Sequence, residues 1–337
     1  MAGFSMKIYP DNAVIMAPLA GYTDLSYRRS CRRHGCFYAF TEMVDTGSLV
    51  YSSRNTRKFL DRGAEEEWLG TQIVGCKLNE IEKSIEIINE HDFNVLDLNV
   101  GCPTPKVAKK GKGAGLAKDP EHVAKIIELM VKKSRAPVTA KIRIQDTTDP
   151  EKTVSLAKKI EEAGAQALTI HGRLLSAIYS GTCYADIISA VRENLKIQII
   201  ANGGVMDKDS YNKLKVDSGC SEIMIARGAM GNPWIFEEIK NDKSVIPSTE
   251  ELANELELHI VETIAYYGEN FGCKLCRKLI LDYLKGRGFS GEFKSGVVKL
   301  STVEEFKNFM NDLRKGPTER YKKWLKKNSN LQFESFV

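Results

Sequence analysis

Through its first 240 or so residues the sequence repeats one unit: a short apolar run, a polar or glycine-bearing loop, and a segment of helical period. The runs are AVIMAPLA (13–20), FYAFTEMV (37–44), WLGTQIVG (68–75), FNVLDLNV (93–100), PVTAKIRI (137–144), ALTIHGR (167–173), IQIIANGG (197–204) and EIMIARGA (222–229). Amphipathic stretches such as NEIEKSIEIINEH and EKTVSLAKKIEEAG lie between them. In the second, Val154, Ala157 and Ile160 share a face, Leu156 and Ala163 fall one residue off it, and Gly164 stops it. Eight strand–helix units in this length predict an α/β fold of the (β/α)8 TIM-barrel kind. A doubly wound sheet is the competing architecture, because alternation alone does not show closure. Polar residues end nearly all eight runs, whereas a doubly wound sheet would gather them at one switch point. That favours the barrel.

After NPWIFEEIKNDKSVIPSTEE the rhythm stops, and residues 249–337 read as helices. A boundary near residue 245 is expected, with a barrel domain over 1–244 and a smaller all-helical domain over 245–337. Ser248 or Thr249 would cap the first of these helices, and Ser301 with Glu304 has the spacing of a capping box. No run approaches the roughly 18 apolar residues of a membrane span. The start, MAGFSMKIYPDN, has no apolar stretch after its lysine. Eight cysteines are scattered along the 337 residues, a pattern of reduced thiols rather than of a disulfide framework. A soluble cytoplasmic protein without a membrane partner is expected, a monomer by default. The net charge of +5 admits a nucleic-acid partner without requiring one.

A barrel would bring the strand ends around one mouth. They offer Ala17-Pro18-Leu19, Glu42, Gln72, Asn99 with Cys102, Lys141 with Arg143, His171, Asn202-Gly203-Gly204 and Ala226-Arg227-Gly228. Lys141 and Arg143 share a strand face, and two cations among apolar neighbours are costly to bury without an anion. The glycines of IIANGGV and the guanidinium of ARGAMG suit a phosphate; alternatively the glycines only make tight turns. His171 reads equally as a ligand or as a core histidine, and Gln72 is ambiguous. No GxGxxG follows the first strand, and GKGAG (111–115) lacks the spacing of a P-loop. Cys273 and Cys276 form a CxxC with no second pair or nearby histidine, so no metal site is expected.

Taken together, MAPLAGYTDLSYRR (16–29), LDLNVGCPTPKV (96–107), AKIRI (140–144), LTIHGR (168–173), IIANGGV (199–205) and ARGAMGNPWIF (226–236) resemble, in order and spacing, the tRNA-dihydrouridine synthases of the bacterial-type branch. The resemblance implies an FMN-dependent enzyme that reduces the C5–C6 double bond of uridine in tRNA, not DNA, with NADPH or NADH as electron donor. It places Cys102 as the acid that protonates C5. It aligns Ala17, Pro18, Leu19, Gln72, Lys141, His171, Asn202, Gly203, Gly204, Ala226 and Arg227 with the family's FMN contacts. At two of these positions the family usually has another residue, Met at 19 and Gly at 226.

Asn99 and Arg143 are candidates to polarise the uracil carbonyls. Lys106, Lys109, Lys110 and Lys112 stand within reach of an RNA backbone brought to Cys102, and glycines 111, 113 and 115 would let their loop move. In RKGPTERYKKWLKKNSN, Arg320, Lys323 and Lys327 share a helix face, with Tyr321 and Trp324 interleaved. Arg277, Lys278, Lys285 and Arg287 form a second basic cluster. The alternatives are an FMN barrel acting on a free pyrimidine, as in dihydroorotate dehydrogenase, and an RNA-binding barrel without turnover.

Overall fold

The computed structural model of the protein describes residues 7–51 and 54–328. The first six residues, part of the stretch inspected for a leader, lie outside these. Eight parallel strands close into a barrel in sequence order: β1 (Val14–Met16), β2 (Tyr38–Asp45), β3 (Leu69–Val74), β4 (Val95–Val100), β5 (Val138–Arg143), β6 (Ala167–His171), β7 (Gln198–Asn202) and β8 (Ile223–Ile225). Each falls within, or one residue beyond, the run that predicts it. Helices Leu78–Ile88, Pro120–Lys133, Glu151–Glu162, Ala185–Asn194 and Lys208–Ser218 follow strands β3 to β7 in turn. Glu151–Glu162 buries Val154, Leu156, Ala157 and Ile160, and Gly164 takes φ +99 just beyond its end. That is the left-handed region glycine enters without a Cβ clash.

Side chains alternate across each strand, so every second residue points into the barrel. At the strands' N-terminal ends these are apolar: Ile15, Phe40, Val95, Ala167, Ile200 and Met224 fill one cluster with Tyr9 and Trp68. Gly70 leaves room there, since a Cβ on it would lie 2.5 Å from the Phe40 ring. Two and four residues further along the same faces the chain places Asp97 and Asn99, Thr139 with Lys141 and Arg143, Thr169 and His171, and Asn202. The register sets Asp97 beside Thr139, Asn99 beside Lys141, and His171 between Arg143 and Asn202. Packing therefore fixes one end of the barrel, and the polar ends of the same strands assemble at the other.

By internal contacts the chain divides into two compact units, Met1–Leu25 with Cys36–Arg227, and Ser26–Gly35 with Gly228–Val337. The expected boundary is a single one, near residue 245. Buried charge explains why an early segment joins the second unit. Glu255 is buried and accepts bonds from Arg33 at 2.7 Å, His34 at 3.3 Å and Ser30 at 2.7 Å. Burial alone would raise its pKa, but the bonds from His34, Arg33 and Ser30 hold it down near 2.

The second unit's core gathers Trp234, Leu256, Ile260, Ile280, Tyr283, Phe306 and Met310. Cys273 and Cys276 are fully buried within it, as packing residues rather than ligands. Among the described residues no group of His, Cys, Asp or Glu could hold a metal, and no helix is long and apolar enough to cross a membrane. Ser248 caps Thr249–Tyr267 in a reciprocal box with Glu251. The later box lies one residue on from the expected pair: Thr302 with Glu305 caps Val303–Arg314, while the Ser301 hydroxyl bonds the Glu305 carboxylate at 2.9 Å.

Candidate active site

The thiol stands on a turn gripped from two sides. Asn99, at the end of β4, accepts the backbone N–H of Cys102 at 2.8 Å and that of Gly101 at 3.1 Å through Oδ1. Arg143, on β5, donates from Nε to the Gly101 carbonyl at 2.8 Å. Its other contacts tie down the loop after β6, at the carbonyls of Leu174 (3.0 Å) and Ile178 (2.8 Å). Three of the five guanidinium donors are spent on backbone, which leaves two for a ligand. The Cys102 side chain is partly exposed, and Sγ donates to Thr104 Oγ1 at 3.4 Å.

Behind the turn runs a buried chain of polar groups. Asn99 Nδ2 donates to Gln72 Oε1 (2.7 Å), Gln72 Nε2 donates to Asp97 Oδ2 (2.7 Å), and Thr139 Oγ1 donates to Asp97 Oδ1 (2.6 Å). Asp97 is an acceptor that receives from both neighbours, so the amide of Gln72, and through it that of Asn99, has one satisfied orientation. Gln72 has no exposed surface. Expected as an FMN contact, it is bonded on one side to Asn99 and on the other to Asp97. Replacing Asp97 with leucine should strand the Gln72 and Thr139 donors and cost about 3 kcal/mol. A fall in the urea midpoint at unchanged m value would show it, and an unchanged midpoint would contradict the chain as drawn.

A second group of side chains forms a positive cradle. Lys141 Nζ donates to Asn202 Oδ1 at 2.8 Å, and Asn202 Nδ2 donates to the Met224 carbonyl at 2.7 Å, linking β5, β7 and β8. Arg173 is buried; it donates to the Gly181 carbonyl at 2.9 Å, and its Nη1 lies 3.3 Å from His171 Nε2. Arg227 donates to the Tyr179 carbonyl at 2.6 Å, and its guanidinium lies 5.4 Å from the Tyr179 ring centre. Among the described residues none of Lys141, Arg143, Arg173 and Arg227 forms a salt bridge with an acid.

The proton affinities carry the mark of that imbalance. Burial, then the charges of Lys141, Arg143, Arg173 and Arg227, push His171 down to about 2, so the ring is neutral. Burial, then Arg143, brings Lys141 to about 7 against the pull of Asp97. Burial raises Asp97 to about 6, opposed by the bonds from Thr139 and Gln72 and by Lys141. Buried cations without counter-charge are expensive, and an anion seated here relieves them. Gly203 (φ +127) and Gly204 (φ +78) border the cradle. A Cβ on Gly203 would lie 2.8 Å from Cys183 Sγ and 2.9 Å from His171 Cδ2, so this backbone approaches its neighbours as only glycine allows.

Of the remaining expected contacts, Ala17 is buried with its N–H on the Ile225 carbonyl at 2.8 Å. Pro18, Leu19 and Ala226 are partly exposed at the strand ends. Glu42 is buried and accepts the Gly21 N–H, which holds the loop after β1. Arg173 is the residue sequence reasoning passed over as a site residue. Its signal was its place two residues after His171 at a strand exit.

The lysine loop differs from its expectation. Lys106, Lys109 and Lys110 are exposed and make no side-chain bond among the described residues. Lys112 instead pairs with Asp45 at 2.6 Å and is 12% exposed. Burial would raise the Asp45 pKa, but the Lys112 bond and the Ser48 N–H keep it below the ordinary carboxylate value. Two of the three glycines are closely packed. A Cβ on Gly113 would sit 2.9 Å from Cys102 Cβ, and one on Gly115 would sit 2.2 Å from the Ala108 carbonyl oxygen. They let the loop fold tightly back on the thiol's own backbone, where the Ala114 N–H meets the Cys102 carbonyl at 3.1 Å.

A closed parallel barrel with a partly exposed thiol and a cluster of buried cations at its C-terminal mouth defines a class: a (β/α)8 barrel enzyme whose mouth suits an anion. The model of the dihydrouridine synthase family matches residues 15–316, and the chain belongs to that family. It is similar to tRNA-dihydrouridine synthase B of Pasteurella multocida, 37% identical over 280 residues that cover 82% of this chain and 84% of that protein. It is 32% identical to tRNA-dihydrouridine synthase B of Pseudomonas aeruginosa, over 87% of this chain and 90% of that protein. A probable tRNA-dihydrouridine synthase of Rickettsia conorii is 33% identical over 89% of each.

Proposed function

We propose that this protein is a flavin-dependent oxidoreductase that reduces uridine in tRNA to dihydrouridine, with FMN as its flavin and NADPH or NADH as electron source. The observation that carries the reading is Cys102, held by Asn99 and Arg143 beside an anion cradle in a member of this family.

The cradle fits a phosphorylated cofactor: Arg173 and Arg227 for the phosphate, Gly203 and Gly204 for close backbone approach, and Lys141 for negative charge on the ring. When bound, reduced FMN supplies the hydride for C6 of the uracil. Cys102 then gives the proton to C5, the part of a general acid held within reach of the substrate. Asn99 and Arg143 position that thiol, and their leftover donors are the ones available to the uracil carbonyls. A neutral His171 can donate or accept a hydrogen bond without adding charge. Lys106, Lys109 and Lys110 offer phosphate contacts beside the mouth, while Lys112 braces the loop through Asp45.

In the second unit the side chains of Arg320, Lys323 and Lys327 make no hydrogen bond or ion pair among the described residues and suit an RNA backbone. Arg277 is partly committed to the Leu300 carbonyl at 2.7 Å, and Arg287 lies over the Trp234 ring at 4.9 Å as a core contact. Lys278 and Lys285 are exposed. The enzyme acts in the cytoplasm, where tRNA and reduced nicotinamide are at hand, and a monomer suffices for the chemistry.

The state of Lys141 gives a pH test. In the free protein its amine titrates near 7, and a bound anion favours the charged form. Above pH 7, where a phosphate monoester is already mostly dianionic, FMN binding should take up a proton. Affinity should then fall by up to about tenfold per pH unit. Fluorescence titrations between pH 7 and 9 would read this, and a flat profile would remove Lys141 from the flavin's surroundings.

A further inference from the structure

The second unit holds a cavity of about 550 Å³ lined by Gly286, Gly288, Lys294, Thr318, Arg320, Tyr321 and Trp324. That volume is in the range, about 300–1,000 Å³, of sites that enclose a small organic group. Its wall is rigid. A Cβ on Gly288 would lie 2.0 Å from Tyr321 Cγ, so only glycine lets the ring rest on this backbone. The Gly288 carbonyl takes two bonds from Thr318, from N–H at 3.1 Å and from the hydroxyl at 3.0 Å. Tyr321 and Trp324 stack at 5.7 Å with their planes 22° apart. Lys294 and Arg320 border the cavity, and neither makes an ion pair or side-chain hydrogen bond among the described residues.

An aromatic wall with two unpartnered cations at its edge matches a flat heterocycle carrying a phosphate. We propose that this cavity takes one unstacked nucleotide of the tRNA, its base against Trp324 and Tyr321 and its phosphate on Arg320 and Lys294. The proposal rests on the tRNA reading above and adds to it a second nucleotide-binding place, separate from the mouth where uridine is reduced. The Thr318 hydroxyl donates to the Gly288 carbonyl, and stacking on Tyr321 and Trp324 depends on no particular base edge. The pocket should therefore accept any base by stacking.

The test is tRNA binding to the flavin-loaded protein across a salt series. Trp324→Ala should weaken binding about tenfold without changing the slope of log K against log salt, since stacking releases no counterions. Trp324→Phe should restore most of the affinity. Arg320→Ala should reduce the slope by about one phosphate contact. In all three, flavin reduction by NADPH should stay at the wild-type rate. Trp68 and Trp234 are buried, so quenching on RNA addition that disappears in Trp324→Phe would report the pocket directly.

Unchanged affinity in Trp324→Ala would overturn the proposal while leaving dihydrouridine formation intact. Quenching by NADPH or uridine monophosphate as strong as that by tRNA would assign the pocket to a free nucleotide and equally overturn it. Failure of the wild-type protein to bind tRNA at all would defeat this proposal and the function together.

Discussion

Cys102→Ala should keep its flavin, accept electrons from NADPH at the wild-type rate, and form dihydrouridine at least about 100-fold more slowly. General-acid groups contribute typically 10²–10⁴-fold. The selectivity of the loss follows from the geometry. The turn is held through the backbone of Gly101 and Cys102, so removing Sγ takes away the proton donor and leaves Asn99 and Arg143 bonded as before. Stopped-flow absorbance separates the two half-reactions. Equal slowing of both would mean that the thiol serves the flavin and not the uracil.

Arg173→Ala should be the most damaging change to cofactor retention, weakening FMN binding by about 10- to 100-fold, the worth of one or two charge-assisted hydrogen bonds. The guanidinium is buried beside His171 and forms no salt bridge among the described residues, so in the free protein no acid offsets its burial. For the same reason the variant's apoprotein should be no less stable than the wild-type apoprotein. The loss would therefore appear in the flavin dissociation constant rather than in the melting of the flavin-free chain. A variant that purifies with full flavin and wild-type affinity would move the phosphate away from this cradle.

Most of the barrel was legible in the sequence because its signal is local. Each strand is a short apolar run that stops at a polar group, whereas the closing of β8 on β1 is shown by the fold and not by the repeat. The positions around the mouth were legible too, since strand ends are countable. What each side chain does there depends on partners from other strands. Gln72 looks available in WLGTQIVG, yet Asp97 and Asn99 enclose it. Lys112 looks like its neighbours, yet Asp45, 67 residues earlier, takes it out of the exposed set.

The glycines of GKGAG read as a flexible loop because spacing cannot show which backbone lies opposite. In the fold it is Cys102 itself, and Ala108. Arg173 was passed over because the neighbouring His171 drew the chemistry, and a cation's lack of an acid is visible only once the fold is known. The expected cap at Ser301 slipped to Thr302, since adjacent hydroxyls followed by two glutamates offer the same pattern in two registers.

The central claim is that this chain reduces uridine within tRNA. Purified protein loaded with FMN should be incubated with NADPH and tRNA from cells that lack every dihydrouridine synthase, and the digested tRNA mapped by mass spectrometry. The expected result is a gain of two hydrogens at one defined uridine, dependent on NADPH and formed at least about 100-fold more slowly with Cys102→Ala. A flavin-loaded protein that oxidises NADPH, leaves every uridine of the tRNA unchanged and reduces free pyrimidines would contradict it.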